Sequence, residues 1–320
     1  MPAIQRYKSG LIERDEFSAD SSSNYLVVGG DDKYFTITGG IVRTYGQPMW
    51  AVLKGSLGTL CVTSKVKAIS DVATTALMLM ANADPTADTD KDGYMVRVSV
   101  YANQWQCYRM DGNTATSLGT TAATGIAAGD TCYYRVYRDG GNVVFRGGEG
   151  NLAQLNTSVA DSNYTSNLYG GFRQNTPALY PTDNDYFETR TSHIVTCTNL
   201  PAGWKFKISD GTTTAQATES GGTATVDAGA ILFPLANVQV LNDSDEVIET
   251  YTSLSDMGGG DTFQYAQTKT ITITSDVYTK ATNTKLFTAN LIIGNTGLQR
   301  SYPLLSEYRT YPALLRKYPI

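Results

Sequence analysis

The chain has 320 residues, 41% of them hydrophobic and 17% charged, and a net charge of −5. That acidic balance excludes the clustered basic face of a nucleic-acid binder, and no run of 18 apolar residues is present to span a membrane as a helix. The single histidine, His193, excludes a multi-histidine metal site and leaves room for at most one Ser-His-Asp or Cys-His device.

Residues 1–14 read as an extended N-terminal arm whose start lacks an apolar signal core, so Sec-type export is not expected. From Asp15 onward short apolar runs alternate with Gly, Asn and Asp turns. Residues 34–38 end at Gly39-Gly40, and residues 60–66 follow Gly55 and Gly58. Residues 72–81, largely apolar, admit a helical reading, but their place between strands and before an Asp-rich turn favours a buried strand. In residues 94–101, Tyr94, Val96, Val98 and Val100 share one face; a turn at Asn103-Gln104 then leads to a strand over 105–110. Residues 133–138 and 143–145 flank Asp139-Gly140-Gly141, a strong hairpin signal.

A change of composition near residues 195–201 marks a boundary. Beyond it, short strands at 204–208, 223–226, 238–241 and 247–251 are separated by polar turns, and Gly258-Gly259-Gly260 closes the unit. Further strands follow over 266–298. The last stretch, 299–320, is a loose Tyr-Pro repeat with four bases (Arg300, Arg309, Arg316, Lys317) against one acid, Glu307. Proline favours extended backbone and removes a ladder donor. Two readings stand for this stretch: a disordered terminus, or a docking arm whose Tyr302, Leu304, Leu305, Tyr311, Leu314, Leu315 and Tyr318 seat on a neighbouring subunit.

Residues 15–195 resemble the concanavalin A/laminin G-like jelly roll. The carrying features are Asp15-Glu16-Phe17, the segment around Tyr25, Ile37 to Ile41 with Gly39-Gly40, the run from Gly93 to Val100, Tyr133 to Tyr137 before Gly140-Gly141, and Tyr169-Gly170-Gly171-Phe172. Residues 200–261 resemble small Ig-like units appended to tailed-bacteriophage virion proteins. The expected architecture is all-β: an arm over 1–14, a jelly roll over 15–195, an Ig-like sandwich over 196–265, extra strands over 266–298 and the extended segment over 299–320. The resemblance implies a structural protein of a phage virion, of head-decoration, collar or tail-fibre type, located in the virion and partnered by other virion proteins as a homo-oligomer. The alternative is an adhesin that binds a receptor or host-surface glycan.

Several constellations could carry chemistry. Asp88, Asp90, Asp92 and Gly93 reproduce the start of an EF-hand-type calcium loop, but Ser99 stands where the bidentate Glu belongs; the other reading is an acidic, solvated loop. Tyr133, Arg135 and Tyr137 share one strand face, either a ligand or partner face or the cover of a second sheet. No paired-carboxylate glycosidase spacing is present; Asp183, Asp185 and Glu188 fall in a Pro/Asn/Thr-rich stretch read as a turn region. Gly147-Gly148 reads as a turn, and His193 as a polar residue at the domain junction. Cys61, Cys107, Cys132 and Cys197 lie in apolar contexts as small buried hydrophobes, a Cys61–Cys132 disulfide remaining open. No catalytic residue is assigned.

Overall fold

In chain order, alternating side chains write two sandwiches, one inserted into the other. The computed structural model describes residues 4–28, 34–38, 41–45, 49–67, 75–81, 92–99, 102–112, 114–123, 125–127, 129–174, 182–252, 255–266, 273–278, 285–294 and 297–300. Apart from a 3-10 turn at Ser22–Asn24, every described element is a strand. The chain divides into two compact units, residues 2–264 and 265–320.

The first unit contains a large jelly-roll sandwich. One sheet has the order β11 (Thr114–Ala122), β10 (Gln104–Asp111), β9 (Gly93–Ser99), β8 (Thr75–Met80), β15 (Tyr169–Gln174), β6 (Met49–Leu53), β3 (Tyr25–Val28). The other runs β14 (Leu155–Ala160), β13 (Asn142–Glu149), β12 (Thr131–Asp139), β7 (Cys61–Lys67), β16 (Thr182–Arg190), β5 (Ile41–Tyr45), β4 (Tyr34–Thr38), with β2 (Leu11–Asp15) also paired to β16. Tyr94, Val96 and Val98 of β9 point inward, as do Tyr134 and Val136 of β12, and meet Trp105 and Phe145 in one core. The residues between them face outward, as the period-2 pleat requires. Gly147 lies within β13 rather than in a turn: a Cβ there would come 2.5 Å from the Trp105 ring, so the missing side chain makes room for the indole.

A small β-sandwich follows. Its sheets are β1 (Ile4–Lys8), β23 (Thr262–Tyr265), β17 (Ile194–Thr198), β20 (Thr223–Asp227), and β19 (Thr214–Thr218), β18 (Lys205–Ser209), β21 (Asn237–Leu241), β22 (Val247–Tyr251). Phe206, Ile208, Val238 and Val240 are buried, and the Phe206 and Phe263 rings lie 5.8 Å apart. Within the stretch expected as an extended N-terminal arm, residues 4–8 form β1 and the chain enters β2 at Leu11. β1 belongs to the small sandwich, so the jelly roll sits between the first strand of that sandwich and the rest. The second unit holds an antiparallel sheet of β24 (Ile273–Tyr278), β25 (Lys285–Gly294) and β26 (Gly297–Arg300).

Both chain crossings between the sandwiches are fastened at one place. Gly10 N–H donates to Asp261 Oδ1 at 2.7 Å, and Thr191 N–H donates to Gly10 O at 2.9 Å. Gly10 and Gly260 approach so closely that a Cβ on Gly10 would lie 2.3 Å from Gly260 Cα. Buried around this point are Arg190, Glu188 and Asp261: Arg190 Nε donates to Glu188 Oε1 at 3.0 Å and Nη1 lies 3.7 Å from Asp261 Oδ1. Arg6 adds a bond to Asp256 at 3.0 Å. Burial alone would depress the Arg190 guanidinium; the Glu188 and Asp261 carboxylates outweigh it and hold its pKa above the ordinary value. Glu188, expected in a turn region, is thus an interior strand residue.

His193 packs in the same junction, its ring 4.1 Å from that of Tyr137 and its Nε2 3.8 Å from Asp227 Oδ1. Nδ1 is buried without a hydrogen-bond partner. Burial lowers its pKa; Asp227 and Asp139 oppose the shift, and Arg135 and Arg146 add to it. Below its ordinary value of 6.5 the unfolded chain binds a proton that the folded chain refuses. Stability is therefore expected to fall as the pH drops from there towards the lowered folded value. Denaturant midpoints at pH 7.5 and 5.5, about one pH unit either side of that value, read the effect, which His193→Gln should flatten; equal slopes for both proteins would contradict it.

A candidate ligand site at the rim of the jelly roll

One end of the jelly roll carries a polar cluster built from three elements. Arg109 and Asp111 lie two apart on β10, so both side chains leave the strand on the same side. Arg109 pairs across the ladder with Tyr94 of β9. Both reach Asp161, in the loop after β14: Arg109 Nη1 donates to Oδ2 at 2.8 Å and Tyr94 Oη to Oδ1 at 2.7 Å. Arg109 Nε donates to Asp111 Oδ2 at 2.9 Å; with the Asn163 amide turned so that its oxygen faces the guanidinium, that oxygen accepts from Arg109 Nη1 and Nε at 3.2 Å each. The guanidinium is therefore held by three side chains, yet a quarter of Arg109 and 38% of Asp111 remain exposed.

Tyr164 closes the cluster. Its phenol oxygen lies 2.8 Å from Asp111 Oδ1 and 3.2 Å from Asp92 Oδ1, and Asp92 Oδ1 also accepts from Gly112 N–H at 2.8 Å. A phenol has one proton and can serve only one carboxylate at a time. Burial and the hydrogen bond to Asp111 raise the Tyr164 pKa, so the proton stays. Burial would raise the Asp161 carboxyl too; the Asn163 N–H, Arg109 and Tyr94 outweigh it and keep Asp161 ionised well into acid. The hydrogen bonds to Asp161 and Asp111 raise the Arg109 pKa. The result is a fixed guanidinium between carboxylate oxygens, an arrangement able to accept from and donate to paired hydroxyl groups.

Of the residues expected to carry chemistry, Asp92 is in this cluster, joined by Asp111, Asp161, Arg109 and Tyr164. Asp88 and Asp90 lie outside the described residues, and among the described residues no group of three or more ligating side chains could hold a metal ion. The expected docking arm, from Tyr302 to Tyr318, also lies outside them.

The face of Tyr133, Arg135 and Tyr137 is closed at Arg135 and Tyr137, while Tyr133 stays half-buried. Residues 228–233 of the small sandwich cover Arg135: its Nη1 donates to the Ala228 and Ile231 carbonyls at 2.7 Å each, and its guanidinium lies 3.9 Å from the Phe233 ring. Arg135 and Tyr137 are buried as a result, and burial depresses the Arg135 pKa. The physical reason is the inserted topology, which stacks the small sandwich on the outward side of β12.

The outward face of the seven-stranded sheet is apolar. Trp50, Met78, Met80, Met95 and Met110 form a second buried cluster there, with Arg173 4.7 Å from the Trp50 ring and Arg97 5.1 Å from Tyr108. All four cysteines are free and buried, and burial raises Cys61 to about 11 and Cys107 and Cys132 to about 12. Cys61 pairs with Tyr137 and Cys132 with Val66, at opposite ends of the β7–β12 ladder, which rules out a bond between them.

No protein-family model and no curated protein matches the chain. Among solved structures, the carbohydrate-binding module CBM66 from Bacillus subtilis is similar at 13% identity and a TM-score of 0.40, over 51% of this chain and 92% of that one. A protein of unknown function with a galectin-like fold, also from Bacillus subtilis, gives 12% identity and a TM-score of 0.42, over 58% and 98%. The exoplasmic/lumenal domain of VIP36, in a form bound to Ca2+ and Man3GlcNAc, gives 10% and 0.38, over 53% and 84%.

Proposed function

We propose that this protein is a non-catalytic binding component whose jelly roll contacts a host-surface glycan through the rim cluster. The observation that carries the reading is the cluster's geometry: Arg109 and Asp111 are partly exposed while Asp161, Tyr94, Asn163 and Tyr164 fix their positions. Paired sugar hydroxyls offer adjacent donors and acceptors. They fit a guanidinium flanked by carboxylates, and little side-chain entropy is left to lose on binding. The test is a glycan array probed with the wild-type chain and with Arg109→Ala. Binding by the wild type, reduced roughly tenfold or more in the variant, is expected, since removing one charged hydrogen-bonding group costs about 1.5–3 kcal/mol. An array with no retained glycan, or equal binding by both proteins, would overturn the reading.

A second reading keeps the chain as a structural component of a tailed-phage virion, assembled in the host cytoplasm with other virion proteins and with copies of itself. In its favour stands the double crossing at Gly10 and Thr191, which suits a jelly roll displayed on a rigid foot. The small sandwich takes the place of the Ig-like unit in that reading. Electron microscopy of a particle carrying this chain tests it: density for the two sandwiches on the particle surface is expected, and particles without them would end it. The two readings are compatible, because a displayed component can also attach to a sugar.

A further inference from the structure

Three of the four large apolar side chains most exposed among the described residues stand on two neighbouring edge strands of the small sandwich: Tyr7 on β1, 77% exposed, and Val247 and Ile248 on β22, 52% and 41% exposed. β1 and β22 are edges of opposite sheets and lie side by side. Among the described residues β22 pairs only with β21, so its outer row of backbone donors and acceptors has no ladder partner. A bulge at Val240/Leu241 leaves Ile248 as the extra residue, which turns its side chain out beside Val247. Native sheets guard such edges with charges, bulges, proline or short length. β22 has the bulge, Glu249 and only five residues, yet its first two positions are apolar.

Its charge is one-sided. The turn leading into β22 carries Asp243, Asp245 and Glu246, all exposed, and Glu249 follows within the strand. Lys205 is already engaged by Asp245. An extended segment rich in aliphatic residues and bases fits both properties, and the sequence supplies one after β26: residues 301–320, with two Leu-Leu pairs and three bases (Arg309, Arg316, Lys317) against Glu307. We propose that the β22 edge receives residues 301–320 of a second copy as an added strand, the leucines against Val247 and Ile248 and the bases along Asp243, Asp245, Glu246 and Glu249. The contact joins two different surfaces, so copies can close by reciprocal exchange of arms or by a ring, or extend as a chain.

The test uses the full chain and a synthetic peptide of residues 301–320. By light scattering the wild type is expected to associate with rising concentration, less so at high salt, and the peptide to dissociate the assemblies. Ile248→Lys places a base on the docking edge and should weaken self-association and peptide binding roughly tenfold or more, with an unchanged melting temperature because the side chain is exposed. A scrambled peptide controls for charge alone. A wild type that stays monomeric and ignores the peptide would overturn the proposal. So would an Ile248→Lys chain that assembles and binds as the wild type does, which would point to a different surface or partner.

Discussion

Arg190→Ala is expected to lower folding stability by about 3–5 kcal/mol. Arg190 and Glu188 are both buried completely, and Arg190 also donates to the Asp256 carbonyl at 2.9 Å. Removing the cation leaves the buried Glu188 carboxylate with only the longer contact to Arg14, at 3.4 Å, which is the expensive way to break such a pair. Removing both charges is cheaper: Arg190→Met with Glu188→Leu keeps the volume and should recover most of the loss. Urea denaturation of the three proteins reads the comparison directly. If Arg190→Ala changed stability by less than about 1 kcal/mol, the junction would not be held by this pair.

Loss of the first strand should act on the same junction from the other side. Removing residues 1–10 takes away β1, the buried Ile4, the Arg6 contacts with Asp256 and Asp261, and the Gly10 bond to Asp261. The small sandwich then loses an edge strand it cannot replace locally, and Asp261 loses two partners. An unfolding free energy lowered by about 3 kcal/mol or more, read by denaturant titration, is expected from the buried isoleucine and the unpaired carboxylate together. Gly10→Val tests the close approach more finely: its Cβ must displace Gly260 backbone, whereas Ser9→Val, on an exposed neighbour, should shift stability by about 0.5 kcal/mol at most. A truncated chain as stable as the wild type would show β1 to be dispensable.

The strands that sequence reading finds are those with an apolar face. β9 alternates plainly, the β12–β13 hairpin carries its Gly140-Gly141 turn, and the apolar run at 75–80 forms a strand as its length suggests. β11 leaves no such mark, because Thr-Ala-Thr-Ser-Leu-Gly-Thr-Thr-Ala has no repeating apolar position and the strand is an exposed sheet edge. The role of β1 is equally hidden, since its partners lie some 250 residues away and no local pattern announces them. Arg135 shows the limit of inside–outside reasoning. A charged residue in alternation with Tyr134 and Val136 reads as solvent-facing, yet a second sandwich covers it and backbone carbonyls accept its hydrogen bonds.

The rim cluster was half legible. Asp92 stood out through its acidic loop, and the spacing of Arg109 and Asp111 could have placed both on one side of a strand. Their meeting with Asp161 and Tyr164 depends on how β14 and the following loop return across the sandwich end, which pairs residues about 50 positions apart. On the proposed reading, glycan binding rests on that closure rather than on any single motif. The lone histidine and the buried thiols pack within the fold, while the partly exposed guanidinium faces solvent.

The most direct test of a ligand at the rim is nuclear magnetic resonance of the arginine side chains, with Arg109 identified through Arg109→Lys. On adding the oligosaccharide that binds most strongly on the array, the Arg109 Nε–H signal is expected to shift, because that group is bonded to Asp111 at the exposed edge of the cluster. The signals of Arg135 and Arg190, buried in the junction, should stay in place. Saturable binding that leaves the Arg109 signal unmoved would contradict the account and put the ligand elsewhere on the molecule.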